Sequence, residues 1–551
     1  MPRALLAPVA VWLCFGLVEV WLAWGALARP SVAQIATELG ACAVAGLVWG
    51  RLAPAGVARS FALPAVVAVA VSALLLGPRA WVTGFVFAVG VAALAGVTLR
   101  VVEERLAPGP LAGAVLAALA AVVVRYQVLQ VADVADARAQ LLTELTEPWP
   151  RTPTPASDGP PVVLISVDTL RWDHAVEMVS WQRVAQAGAG WPRAMATSSW
   201  TLPSMASVVT GLPAQSHGAG AWPGGRYTAL PEDVPVLAEQ LADQGYATAA
   251  FLTNPFLSRG MGFDRGVDLF LQHHERAAHR LLFTGRPWGA HAWQSEVVVD
   301  RALAWLAGAP KRGFFLWVHV VDPHLPYQHA PAGNPGAAWR SADIRAGLLF
   351  TPPQREAIRE GYANEVRHVD GQLGRLLDAL EARGVLEDGV VAFVADHGEE
   401  LWDHGGVEHG HSHHGEVVDV AVAIAAPGLQ ARGPEGVVSL ADVAPTLQAA
   451  AGLAPGGHDL REPVPIGRIA TAVGNKYDRI DLSARQGDVR LIRRGDGTSM
   501  AYDLRVDPGE QAPLEEAPEA LEVALDGVVI RSQEGAAGVN VEGLRALGYL
   551  D

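Results

Sequence analysis

A chain of 551 residues, half of them apolar and only 18% charged, is too apolar overall for an ordinary soluble protein. Its formal charge of −16 argues against nucleic acid, whose phosphates it would repel. Both cysteines, Cys14 and Cys42, fall in the apolar N-terminal part, so the remainder has neither a disulfide nor a cysteine nucleophile.

The average conceals a split. Residues 1–131 are mostly Ala, Val, Leu and Gly, in apolar stretches at about 5–28, 33–50, 61–77, 80–99 and 110–131 that approach or reach bilayer-spanning length. A cleaved signal peptide would account for the first stretch alone. The expectation is an all-α transmembrane bundle of about five helices, with membrane lipids as its first partners. Arg3, Arg51, Arg59, Arg100 and Arg105 fall on one side of a five-span arrangement, Arg29 and Arg79 on the other. The positive-inside tendency then makes the N-terminus cytoplasmic and the C-terminal domain extracytoplasmic, periplasmic or extracellular. Glu19 and Arg125, inside the first and fifth spans, have two readings: an ion pair between the helices, or Arg125 snorkelling to the outer surface.

Residues 132–160 read as a juxtamembrane segment, a short polar helix over 132–147 followed by a Pro-rich linker from Trp149 to Pro161. The roughly 390 residues beyond it can bury a large core. From 161 to 430, strand-like runs at 162–167, 247–252, 314–319, 389–395 and 419–425 alternate with helical patterns such as 234–244 and 355–383. That alternation predicts a mainly parallel sheet covered by helices on both faces. Over 431–551 the pattern changes, and the segments 488–494 and 499–504, joined around Gly495-Asp496-Gly497, read as a hairpin.

Two apolar runs end in acids. Val162 to Val167 leads into Asp168, and Val390 to Ala395 leads into Asp396-His397, as buried parallel strands do when they deliver ligands at their C-terminal edge. Between them lies Ser199-Trp200-Thr201-Leu202-Pro203-Ser204. Pro203 can open a helix at its first position, leaving the preceding residues at the positive end of the dipole. Thr201 there is either a nucleophile or a plain helix cap. Two strand-end acids, a His and a hydroxyl suffice for a divalent-cation site, and this donor set suits Zn, Mn, Mg or Ca. A threonine hydroxyl is barely ionised at neutral pH, and such a cation would activate it.

The Asp168 strand, the Thr201-x-Pro-Ser segment closed by Thr210-Gly211, the Asp322-Pro323-His324 segment and Asp396-His397-Gly398 follow one another as they do in the sulfatase/alkaline phosphatase superfamily, which residues 160–551 resemble. The resemblance implies an alkaline-phosphatase-like α/β domain whose last part, with Tyr502-Asp503-Leu504 and Asp507-Pro508-Gly509-Glu510, forms a small antiparallel sheet. It implies a divalent metal, one ion or two, held by Asp168, Thr201, Asp396 and His397, and a covalent Thr ester resolved by water or a second alcohol. His324 matches the family's substrate-binding His, and His411 falls where related proteins place a Lys or His that contacts substrate or a second metal. The rest of that run, His404, His409, His413 and His414, reads as a solvated loop or, for one of them, as a partner of His411 on a second metal. His319 and Asp322 read as structural, Arg171 and Asp173 as a pair behind the site or plain surface charge, and Asn254 as a substrate contact.

The departures from the family bear on substrate. Sulfatases acting on esters of alcohols carry Cys or Ser, converted to formylglycine, where Thr201 stands, an Arg where Met205 stands, and often a second Asp where Thr169 stands. A Thr ester must be broken at sulfur or phosphorus. The differences shift the expected reaction to hydrolysis or transfer of a phosphoryl-type group, phosphodiester or phosphonate. Phosphoethanolamine transferases and lipoteichoic acid synthases, with unmodified Thr and five spans before an external domain, are similar in layout. A sulfuric ester hydrolase is the alternative, favoured by the wording of Ser166 to Arg171 and of Leu544 to Leu550; an inactive membrane scaffold is the third reading. Tethering at the bilayer favours a lipid-linked or envelope glycan substrate.

Overall fold

The computed structural model describes residues 156–222, 226–272, 295–327, 329–331, 334, 350–430, 436–474, 476 and 480–531. The five apolar stretches, Glu19, Arg125 and the 132–147 helix lie outside the described residues. Among those described, no helix is long and apolar enough to cross a membrane. The chain divides into two compact units, residues 1–148 with 275–291 and residues 149–274 with 292–551, and all described residues belong to the second.

That unit is organised on a seven-stranded sheet. Its strands are β1 (Val162–Val167), β2 (Ala189–Met195), β3 (Ala247–Leu252), β4 (Leu269–Gln272), β5 (Phe314–Val320), β6 (Val390–Ala395) and β7 (Asp419–Ala425), in the order β2-β7-β6-β1-β5-β3-β4. The block β6-β1-β5-β3-β4 is parallel, and β7 runs antiparallel to both of its neighbours. β1, β3, β5 and β6 are buried along their whole length, as continuous Val, Ile, Phe and Ala runs require when helices cover both faces. β2 reads poorly as a strand because Pro192 interrupts it; it lies at the sheet edge, where a missing N–H costs no ladder bond.

The helices form two layers. On one face pack α1 (Val179–Ala187), α4 (Ser295–Gly308) and α5 (Pro352–Ala382); on the other, α2 (Thr201–Thr210), α3 (Leu237–Asp243) and α6 (Val443–Ala450). α5 starts three residues before the sequence pattern suggests. Pro352 and Pro353 fill its first positions, and the Gln354 side chain accepts from Thr351 N at 2.9 Å, closing a capping box.

The C-terminal part forms a separate four-stranded antiparallel sheet, β8 (Ile469–Gly474), β9 (Asp481–Gln486), β10 (Val489–Arg493) and β11 (Ser499–Asp503), in sequential order. The last two are the hairpin read from the sequence. Helix α7 (Glu519–Asp526) packs Leu521 and Leu525 onto Ala484, Leu491 and Ala501. A buried ion network ties this sheet to β7: Asp419 meets Arg193, Arg485 and Arg490, and Arg490 also meets Glu510 at 2.6 Å.

Candidate active site

The parallel register does most of the assembly. Val167 pairs with Ala395, so Asp168 and Asp396 leave adjacent strands at the same level. Both carboxylates are fully buried, as is His397. Asp396 Oδ1 accepts from the backbone N–H of His397 at 2.8 Å and of Thr169 at 3.2 Å. Thr169 makes this bond from φ 54°, a left-handed conformation that a β-branched residue adopts only under strain. The hydroxyl of Tyr362 on α5 holds the segment, donating to Thr169 O and accepting from Arg171 N, both at 2.8 Å.

α2 delivers the hydroxyl. The helix begins at Thr201 itself, with extended Trp200 as its cap, so Pro203 stands third and not first. Trp200 is buried against Tyr227 and Phe256, which fixes the entry of the chain. Thr201 therefore has no capping duty. Its Oγ1 lies 3.2 Å from His397 Nε2 and 3.4 Å from Asn254 Nδ2. Ser204 Oγ donates to Asp396 O at 2.5 Å, and Gly211 ends the helix at φ 74°, where a Cβ would meet the Pro445 ring at 2.8 Å.

His397 Nδ1 faces Gly398 O at 2.9 Å, which assigns the proton to Nδ1 and leaves the Nε2 lone pair toward the site. Nε2 lies 3.5 Å from Asp168 Oδ1 and 3.5 Å from Asp396 Oδ2. Those two oxygens are buried without a hydrogen-bond partner among the described residues. Burial and the Asp168 charge push Asp396 well above the usual carboxylate range; burial also acts upward on Asp168, but His319, His397 and His324 hold it below its ordinary value. Burial lowers His397 to about 4, so the imidazole is neutral. Orphaned carboxylate oxygens and a neutral imidazole, with ligand atoms within 4.8 Å of one another, fit a divalent cation.

Asn254, two residues beyond β3, is part of this centre: its Nδ2 donates to Asp168 Oδ2, and its Oδ1 accepts from Phe256 N at 2.9 Å. His319 lies beneath, Nδ1 2.9 Å from Ser166 Oγ and Nε2 3.7 Å from Asp168 Oδ2. Asp322 accepts from Ser295 N at 2.8 Å. Arg171 is buried between Asp173 and Asp403 at 2.9 Å each and donates to Glu399 O, so it clamps the loop after Asp396 and is no surface charge.

The histidine-rich run is not a solvated loop. His409, His413 and His414 are buried, and the sequence reading of this stretch is corrected accordingly. His409 packs on His397 with ring centroids 4.4 Å apart and on His324 at 5.1 Å. His411, expected to contact substrate or a second metal, lies beyond the Gly410 turn (φ 85°) with Nε2 2.9 Å from Glu400 Oε2. His413 bonds Ser483 of β9, while His404 pairs with Glu416 at 2.7 Å and stacks on His414. His409 is set between Glu399 Oε1 at 3.2 Å and Lys476 Nζ at 3.1 Å; burial and the Lys476 charge hold it well below its usual pKa.

The sulfatase family model matches residues 160–453, just over half of the chain. The chain belongs to the sulfatase family. It is 24% identical to an arylsulfatase of Clostridium perfringens, over 52% of this chain and 74% of that protein, and 27% identical to iduronate 2-sulfatase of Homo sapiens, over 17% and 23%. The phosphonate monoester hydrolase of Agrobacterium radiobacter shares the fold at a TM-score of 0.52 and 20% identity, covering 71% of this chain and 95% of that one. This is an enzyme of the sulfatase/alkaline phosphatase superfamily.

Within this sulfatase-family site, sequence reasoning missed Lys476 and read His409 only as part of a solvated run or as a partner of His411 on a second metal. A signal for Lys476 was available: in a chain with 41 Lys and Arg together, Lys occurs only at 311 and 476.

Proposed function

We propose that this sulfatase-family enzyme hydrolyses or transfers a phosphoryl-type group, phosphodiester or phosphonate, through a covalent ester on Thr201. The observation that carries the reading is a nucleophile position held by threonine, its Oγ1 3.2 Å from His397 Nε2 and free of any capping bond. Threonine cannot become formylglycine, and Met205 stands where sulfatases carry Arg.

Asp168, Asp396 and His397 would hold the divalent cation, with Thr201 Oγ1 beside them; bound there, it lowers the hydroxyl pKa and neutralises substrate charge. Thr201 loses its proton to solvent as its oxygen bonds phosphorus, and the bond to the departing oxygen breaks. That oxygen takes a proton from Lys476, which stands with His324 and His409 along the wall of the site. Asn254 fixes both the Asp168 carboxylate and the attacking oxygen. Water or an acceptor alcohol then attacks phosphorus and releases Thr201, which recovers a proton. Proximity to a bilayer, expected from residues 1–131, favours a lipid-linked or envelope glycan substrate.

A second reading, a sulfuric ester hydrolase, draws support from the family match and from the arylsulfatase relative. Purified enzyme assayed on aryl phosphodiester, aryl phosphonate and aryl sulfate decides between them. The expected result is a kcat/KM at least about tenfold higher on a phosphorus ester, some 1.4 kcal/mol of transition-state preference. Sulfate as the best substrate would overturn the proposal.

A further inference from the structure

A second set of ligating side chains lies outside the centre described above. The first turn of α4 presents Ser295 and Glu296, the segment after β5 presents Asp322 and His329, and α5 presents Glu365 and His368 on one face, three residues apart. His368 Nε2 lies 3.0 Å from Glu296 Oε2. His329 Nδ1 lies 2.7 Å from Glu365 Oε2, and the two imidazole rings stack with centroids 3.5 Å apart. One ligand atom each from Glu296, His329 and His368 falls within 4.8 Å of the others.

A plain ion-pair cluster accounts poorly for this set. Glu296 and Glu365 face two imidazoles, and balancing them by protonating both rings would stack two cations with centroids 3.5 Å apart, where they repel each other. Among the described residues, Glu365, His368 and His329 act on Asp322; burial and Glu365 together push its carboxyl up to about 7. Fully buried Ser295 Oγ has no hydrogen-bond partner among the described residues. A carboxylate and two imidazoles are what a borderline divalent ion selects, whereas Mg and Ca prefer all-oxygen shells. Glu365 supplies the other customary part. A buried carboxylate receiving Nδ1–H of His329 leaves Nε2 as the ligating atom and fixes its ring. Glu296, His329 and His368 are each partly exposed, which leaves the ion a way in.

We propose that Glu296, His329 and His368 form a second divalent-cation site, of zinc type, oriented by Glu365. Its place in the chain gives it a task. Asp322 and His329 flank His324, so an ion bridging this segment to α4 and α5 holds in position a side chain that walls the catalytic centre.

The test is independent of the catalytic reading because it begins by deleting the first centre. The full chain carrying Asp168→Ala and Asp396→Ala is equilibrated with zinc, desalted and analysed for bound metal by mass spectrometry. The site predicts about one zinc per chain, lost when His329→Gln and His368→Gln are added and weakened roughly 10- to 100-fold by Glu365→Gln. Zinc absent from the Asp168→Ala/Asp396→Ala protein, or unchanged by the histidine substitutions, overturns the proposal. If the histidine variants do not fold, cobalt(II) in the Asp168→Ala/Asp396→Ala protein decides: imidazole coupling in its pulsed electron paramagnetic resonance supports the site, and a spectrum of aqueous cobalt rejects it.

Discussion

Asp168 and Asp396 are two carboxylates with no exposure at the same level of adjacent strands, and a folded chain keeps such a pair only when something rewards it. The sign of the effect is testable. A carboxyl whose folded pKa is raised contributes stability below its unfolded pKa and loses it as pH rises toward the folded value. In chelator at pH 8, Asp396→Asn should therefore melt above the unsubstituted protein; with divalent metal the order should reverse, because a ligand is gone. Differential scanning fluorimetry in both buffers reads this directly, and a variant that melts lower in both would remove the electrostatic argument. Thr169 belongs to the same scale. Its strained φ aims an N–H at Asp396, a role that its identity did not announce in the sequence.

At the scale of elements, buried ionic links join the C-terminal sheet to the main one. Arg490, fully buried, meets both Asp419 and Glu510; Asp419 keeps Arg193 and Arg485, but Arg490→Ala takes the guanidinium from buried Glu510 and should cost about 3 kcal/mol in denaturant unfolding. Nearby, burial lowers the His404 pKa but Glu416 at 2.7 Å more than offsets it, raising the group to about 9. A raised histidine stabilises fully below its unfolded pKa near 6.5 and loses that contribution as pH climbs to about 9. The melting temperature should fall across this interval, and His404→Gln should flatten the fall; an unchanged slope would mean that the pair does not form in solution.

The elements themselves were largely legible. The parallel strands announce themselves because burial on both faces demands unbroken apolar runs, and Asp168, Asp396 and His397 could be read at their ends. What stayed hidden depended on tertiary override. β2 carries a proline and alternates poorly, so only its edge position makes it a strand. The histidine-rich run looks solvated by composition, and the Gly410 turn, which sets His409 on His397 and His411 on Glu400, leaves no periodic trace. His329 and Glu365 are 36 residues apart, and only the docking of α5 brings them together.

For the molecule as a whole, the apolar, charge-poor residues 1–131 are proposed to anchor a catalytic unit that contains no cysteine. The full chain is expected to sediment with membranes and to resist extraction by alkaline carbonate, yielding only to detergent. Its catalytic unit should be digested by protease added to the extracytoplasmic side. Recovery in the carbonate supernatant would refute the anchoring. The central claim concerns one oxygen atom, and trapping it is the most direct measurement. Metal-loaded enzyme quenched in acid during turnover of an aryl phosphonate should carry one phosphonyl adduct, mapped by peptide mass spectrometry to Thr201 and absent from Thr201→Ala, whose kcat falls by about 10³-fold or more. An adduct on Ser199 or Ser204, or undiminished turnover in Thr201→Ala, would contradict the account.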